Sequence, residues 1–66
     1  MYRIGICDDD KILCSALEEQ IYELSKELAI KIEIDVWYSG VSIENDLKKG
    51  IELDLLFLDI ELVQNN

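Results

Sequence analysis

Hydrophobic and polar residues follow two different periodicities along this chain, one typical of helices and one typical of strands. Residues 2–7 are short, β-rich and followed by three aspartates, which predicts a strand. From about Lys11 to Ala29, apolar side chains recur every three or four positions, as on one face of a helix. Residues 31–38 alternate between apolar and mostly charged positions. This pattern predicts a half-exposed edge strand, with Trp37 on its polar face and Tyr38 on its apolar face.

The second half of the chain predicts one more helix and one more strand. Ser39 is a suitable N-cap for a short helix from Val41 to Lys49, and Gly50 follows as a typical helix end. Residues 53–58 are almost continuously apolar, which predicts a strand covered on both faces.

The predicted element order is β-α-β-α-β, and its connections are too long for hairpins. Such an order predicts an α/β fold with a parallel sheet. Right-handed crossovers in a doubly wound sheet of order 2-1-3 place the two helices on opposite faces, giving three layers. A strand covered on both faces belongs inside a sheet. We therefore expect residues 1–66 to be the first part of a larger α/β domain whose later units are missing.

The composition argues against some classes of function but does not identify one. The net charge is −9, with 6 Lys+Arg against 15 Asp+Glu, which argues against direct nucleic-acid binding by this chain. No apolar run approaches the ~18 residues of a membrane span, and the first residues do not resemble a signal peptide, so we expect a cytoplasmic protein without a membrane contact. Cys7 and Cys14 are expected to be reduced, small buried side chains.

Aspartates follow the first and third predicted strands. In a 2-1-3 sheet the carboxyl ends of these strands flank the switch point, where open α/β sheets bind ligands. We therefore expect Asp8, Asp9, Asp10 and Asp59 to converge. Carboxylates that crowd together favour a cation, and an all-oxygen set suits Mg²⁺. A carboxylate beside that ion can act as a nucleophile toward a phosphoryl group.

Each of these residues also has a plainer interpretation. One of the three consecutive aspartates can cap the first helix, since Asp is a preferred N-cap. Taken alone, Asp59 would be a surface carboxylate. Trp37 is expected to be a partly exposed aromatic side chain, with contact to a partner as the alternative.

Three segments together resemble a known family. Residues 4–10 (IGICDDD), 38–40 (YSG) and 55–61 (LLFLDIE) are similar to the first strand, the turn before the second helix and the third strand of response-regulator receiver domains. The likeness is greatest to receivers joined to LytTR-type DNA-binding domains. It covers the whole chain, but only the first three of the five β/α units of the flavodoxin-like and CheY-like fold.

The resemblance implies a phosphoacceptor module of a two-component system that regulates transcription. Asp59 would accept a phosphoryl group from a sensor histidine kinase. Asp8 and Asp9 would hold Mg²⁺ together with Asp59 and the backbone carbonyl of Glu61. No enzymatic activity is implied beyond self-phosphorylation from small acyl phosphates and autodephosphorylation. Residues 62–63 (LV) depart from the Met-Pro common in the family, and the family's Ser/Thr and Lys after strands four and five have no counterpart here.

An alternative function is a non-catalytic, truncated receiver that binds a partner or itself. The third strand would then be an apolar edge, and such an edge favours pairing with another chain. We expect a homo-oligomer formed through this strand or through the apolar helix face.

Overall fold

A computed structural model describes residues 1–59 and shows the predicted α/β architecture. Its elements, in chain order, are β1 (Tyr2–Cys7), α1 (Lys11–Glu27), β2 (Ile32–Trp37), α2 (Gly40–Lys48) and β3 (Leu55–Leu58). The three strands form one parallel sheet in the order β2-β1-β3. The predicted fold class, element order and strand order are therefore confirmed.

Strand β1 is the centre of the sheet and carries its most buried residues. It pairs with β2 along its whole length, from Tyr2 beside Ile32 to Cys7 beside Trp37. On its other side it pairs with β3, which brings Cys7 beside Leu58. Because both edges of β1 are paired and both faces are covered, Ile6 and Cys7 are fully buried.

Helix α1 ends two residues before the predicted Ala29. Leu28 is its C-cap, and Ala29 adopts a left-handed conformation with φ of 55°. Left-handed geometry stops the helical hydrogen-bond pattern and turns the chain toward β2. Helix α2 is capped by Ser39, as predicted, whose hydroxyl accepts a hydrogen bond from the Ser42 backbone N–H at 3.2 Å.

The closed core lies between the sheet and α2. Cys7, Trp37 and Ile43 form its buried cluster, and Ile51 and Leu53 pack against it. The placement of Trp37 on an exposed polar face was wrong, since only 6% of this residue is exposed. Alternation does put Trp37 on the face of Glu33 and Asp35, but α2 covers that face at the end of the strand.

A hydrogen bond explains how an indole is tolerated at this position. The Trp37 Nε1–H donates to Asp46 Oδ2 of α2 at 2.7 Å. The ring is therefore buried while its one polar atom keeps a partner. Tyr38, predicted to point inward with the apolar residues of β2, is instead 47% exposed because the strand has already ended.

Strand β3 departs from the prediction of a strand covered on both faces. Its four residues, Leu55 to Leu58, are between 37% and 51% exposed. Within the described residues β3 is an edge of the sheet, so its outer side has no neighbouring strand. An apolar cleft of about 140 Å³ lies on the α1 face and includes Leu24, Leu28, Leu55 and Phe57.

The amino-terminal edge of the sheet is held by polar contacts. Arg3 Nε donates to Asp35 Oδ2 at 2.7 Å, and the Arg3 backbone N–H donates to Asp54 Oδ2, also at 2.7 Å. This pairing with Asp35 raises the pKa of the Arg3 guanidinium above its usual value. Neither α1 nor α2, the helices of the described chain, has the length and apolar character to cross a membrane.

Candidate metal centre

The carboxyl ends of β1 and β3 meet at one point. The Asp59 backbone N–H donates to the Cys7 carbonyl at 3.0 Å, which extends the β1–β3 pairing by one residue beyond Leu58. On the other side, the Asp8 backbone N–H donates to the Trp37 carbonyl at 3.1 Å. The parallel register therefore places Asp59 beside Asp8, although about fifty residues separate them in the sequence.

Three carboxylates form a compact cluster at this point. Asp8, Asp9 and Asp59 each offer an oxygen that lies within 4.8 Å of the other two. Asp8 and Asp59 are half-buried, and Asp9 is exposed. The convergence expected from the strand order is observed for these three residues.

Asp10 has a different role from Asp8 and Asp9. Its Oδ1 accepts hydrogen bonds from the backbone N–H groups of Ile12 at 3.0 Å and Leu13 at 3.1 Å, so it is the N-cap of α1. Of the three consecutive aspartates, the capping role thus belongs to Asp10. Because Asp10 satisfies the helix end, Asp9 is not needed as the cap.

Local hydrogen bonds fix Asp8. Its Oδ1 accepts from the Asp10 backbone N–H at 2.9 Å, an Asx-type turn that orients the carboxylate. Its backbone carbonyl accepts from the Cys14 thiol of α1 at 3.4 Å. Side chain and backbone of Asp8 are therefore both held by the start of α1.

The two cysteines support this loop as protonated thiols. Cys7 Sγ donates to the Ser39 carbonyl at 3.6 Å and so ties β1 to the start of α2. The pKa of both Cys7 and Cys14 is raised, mainly by burial and to a smaller extent by the nearby charge of Asp8. Thiols with a raised pKa are poor nucleophiles at neutral pH, so their structural interpretation is favoured over a redox one.

A feature that sequence reasoning missed is a cation at the same edge. The Lys11 ammonium lies over the Tyr38 ring, 5.3 Å from its centroid. Lys11 begins α1 directly after the aspartates, and Tyr38 directly follows β2. Adjacent strand ends in a known topology could have indicated the pair, whereas the YSG segment at residues 38–40 indicated only a turn.

The donor set fits a hard divalent cation. Three carboxylates provide only oxygen ligands, and the exposed position of Asp9 would leave room for waters on a bound ion. Mg²⁺ is commonly bound by a few carboxylates together with waters and phosphate oxygens. The adjoining cleft, of about 200 Å³, has Asp8 and Asp59 among its lining and Leu13, Leu17 and Phe57 as apolar wall.

The remaining predicted ligand, the backbone carbonyl of Glu61, lies outside the described residues. Comparison of the chain with protein-family models, with curated proteins and with solved structures finds no match in any of the three. The functional argument therefore depends on the arrangement of Asp8, Asp9 and Asp59.

Proposed function

We propose that this chain is a phosphoacceptor module of the response-regulator receiver type. It would act in the cytoplasm and accept a phosphoryl group on Asp59 from a sensor histidine kinase. One observation carries the proposal: the carboxylates of Asp8, Asp9 and Asp59 meet within 4.8 Å at the switch point of a 2-1-3 parallel sheet. Ligands of open α/β sheets bind at such a point.

The three carboxylates would have different roles in the phosphorylation. Asp8 and Asp9, with Asp59, would hold Mg²⁺, which neutralises the negative charge of the phosphoryl group and of the carboxylate that attacks it. The Asp8 carboxylate is oriented by its hydrogen bond from the Asp10 N–H. Asp59, which is half-buried, would supply the nucleophilic oxygen.

The reaction would transfer a phosphoryl group without a redox step. An Asp59 carboxylate oxygen forms a bond to phosphorus as the bond from phosphorus to the donor breaks. With acetyl phosphate as donor, acetate leaves and an acyl phosphate remains on Asp59. The chain would be the acceptor in this reaction.

Incubation with acetyl phosphate and Mg²⁺, followed by intact-mass measurement, tests this proposal. We expect the mass to increase by one phosphoryl group. Asp59→Asn should abolish the adduct, because the amide is not a nucleophile, and EDTA should abolish it in the unsubstituted chain. Asp54→Asn is the matched control: Asp54 lies at the opposite edge of the sheet, so its replacement should leave the adduct in place. A folded chain without adduct, or an adduct that persists in Asp59→Asn, would contradict the proposal.

Self-association is a second candidate function, and a separate observation favours it. All four residues of β3 are exposed and apolar, and two of them, Leu55 and Phe57, line the apolar cleft on the α1 side of the sheet. Exposed apolar edge strands are prone to pair with another chain. A non-catalytic module would use this surface to bind another copy of itself.

Sedimentation velocity over a range of protein concentrations tests the second candidate. We expect the average mass to rise with concentration, and Phe57→Lys to shift the chain toward the monomer. Lys26→Gln, a change on an exposed part of α1, is the control. A monomer at every concentration, with slow amide exchange in β3, would exclude this function.

A further inference from the structure

Negatively charged side chains outnumber positively charged ones at the carboxyl edge of the sheet. Asp8, Asp9 and Asp59 cluster there, and Asp10 lies beside them. Of the six lysines and arginines, five belong to the opposite edge, at the starts of β1 and β2 or the ends of α1 and α2. The exception is Lys11, which begins α1 two residues after Asp9.

Among residues 1–59, Lys11 forms no ion pair with this cluster. Among the described residues, the ion pairs of the lysines and arginine are Arg3–Asp35, Lys48–Glu44 and Lys49–Asp46. The Lys11 ammonium lies instead over the Tyr38 ring. Because β2 and β3 are on opposite sides of β1, the ring that follows β2 lies across β1 from Asp59, which follows β3.

The residues on both sides of Tyr38 are anchored to the rest of the fold. The Asp8 N–H donates to the carbonyl of Trp37, so the loop that carries the aspartates is joined to the residue before Tyr38. Trp37 is buried, and Ser39 is bonded through its carbonyl to Cys7 and through its hydroxyl to α2. Tyr38 is therefore held between two anchored residues while its ring remains on the surface.

We propose that Tyr38 is a positioning residue that holds Lys11 away from the acidic cluster and so leaves the carboxylates to a divalent cation. A lysine among the carboxylates would satisfy part of the charge that attracts the metal ion, and the two cations would compete. Lys11 begins α1 two residues after Asp9, and its long side chain is flexible. The inference depends on the proposed function, because it concerns the same metal site.

Mg²⁺ titrations followed by the backbone amide signals of Asp8, Asp9 and Asp59 test the inference. Tyr38→Leu keeps apolar bulk but removes the aromatic face, and an exposed cation–π contact changes an equilibrium by about 2- to 5-fold. We expect Mg²⁺ affinity to fall by that factor. Tyr38→Phe keeps the aromatic face and should bind as the unsubstituted chain does.

The decisive comparison uses Lys11→Gln as a background. In that background, Tyr38→Leu should leave Mg²⁺ affinity unchanged, because no ammonium remains to be released. Equal losses in both backgrounds, or no loss in either, would overturn the role of Tyr38 while leaving the metal site intact. Failure of the unsubstituted chain to bind Mg²⁺ would instead overturn the proposed function and this inference with it.

Discussion

Replacing Trp37 with alanine is expected to unfold most of the protein. Trp37 is 6% exposed and joins Cys7 and Ile43 in the buried cluster between the sheet and α2. Truncating a buried tryptophan typically costs about 3–5 kcal/mol. A chain of this size has a total stability of about 3–10 kcal/mol, at the ~0.05–0.15 kcal/mol per residue of small domains. One substitution would therefore remove a large part of the total.

The close packing around Trp37 favours a large loss of stability in this variant. A Cβ at Gly5 would lie 2.9 Å from Trp37 Cζ3, which shows how closely the indole packs on β1. The indole is also the link from β2 to α2 through its hydrogen bond to Asp46. Removal of the ring leaves a cavity that neighbouring side chains cannot fill without moving the helix.

Urea unfolding followed by far-ultraviolet circular dichroism measures this effect. Trp37→Phe is the matched control, because it keeps most of the packing and removes only the N–H group. Its loss should be clearly smaller, about 1–2 kcal/mol, since Asp46 is partly exposed and can bond to water instead. If Trp37→Ala unfolds at the same urea concentration as the unsubstituted chain, the assigned core is wrong.

Asp9→Asn is expected to weaken Mg²⁺ binding by a factor of roughly 10 to 100. A unit charge and a divalent ion about 4 Å apart attract by about 2 kcal/mol even in water, and direct contact is stronger. Asp9 lies on the exposed side of the cluster and makes no hydrogen bond on which the local fold depends, so the amide changes charge with little effect on geometry. Calorimetric titration with Mg²⁺ measures the loss.

The same substitution should not destabilise the metal-free protein. In EDTA, the unsubstituted chain keeps three carboxylates within 4.8 Å, and removing one charge lowers their repulsion. We therefore expect Asp9→Asn to unfold in urea at the same concentration as the unsubstituted chain or at a higher one. Loss of stability in EDTA would show that Asp9 supports the fold.

The neighbouring aspartate provides a control of equal charge. Asp10→Asn removes one negative charge as well, but Asn is also a good N-cap and can still accept hydrogen bonds from Ile12 and Leu13. We expect much smaller effects of Asp10→Asn on Mg²⁺ affinity and on stability. Equal losses of affinity in both variants would mean that overall charge, rather than the cluster, determines binding.

The periodicity of the chain was sufficient to predict the elements and their order. Steps of three and four residues predicted α1, and alternation predicted β2, because the two periods correspond to one face of each element. The order of strands and helices then predicted a parallel sheet of the doubly wound order 2-1-3, and the preferred handedness of crossovers predicted helices on its two opposite faces. The boundaries were less accurate: α1 ends before Ala29 because that residue turns left-handed.

The candidate site was predictable for a related reason. The aspartates that end β1 and β3 must meet once the strand order is known, and Asp8, Asp9 and Asp59 do so. Which of residues 8–10 caps the helix was left open by the sequence, since all three are aspartates. That choice depends on the backbone path of the loop, in which Asp10 alone reaches the amides of Ile12 and Leu13.

What the sequence determined by itself was the set of elements, their order and the residues at each strand end, because these depend on interactions between near neighbours along the chain. The tertiary structure alone decided which surfaces are covered. It buried Trp37 under α2, left β3 exposed and placed Lys11 over Tyr38 rather than among the carboxylates. Burial and charge pairing depend on residues distant in sequence, so a local pattern of polar and apolar positions does not contain them.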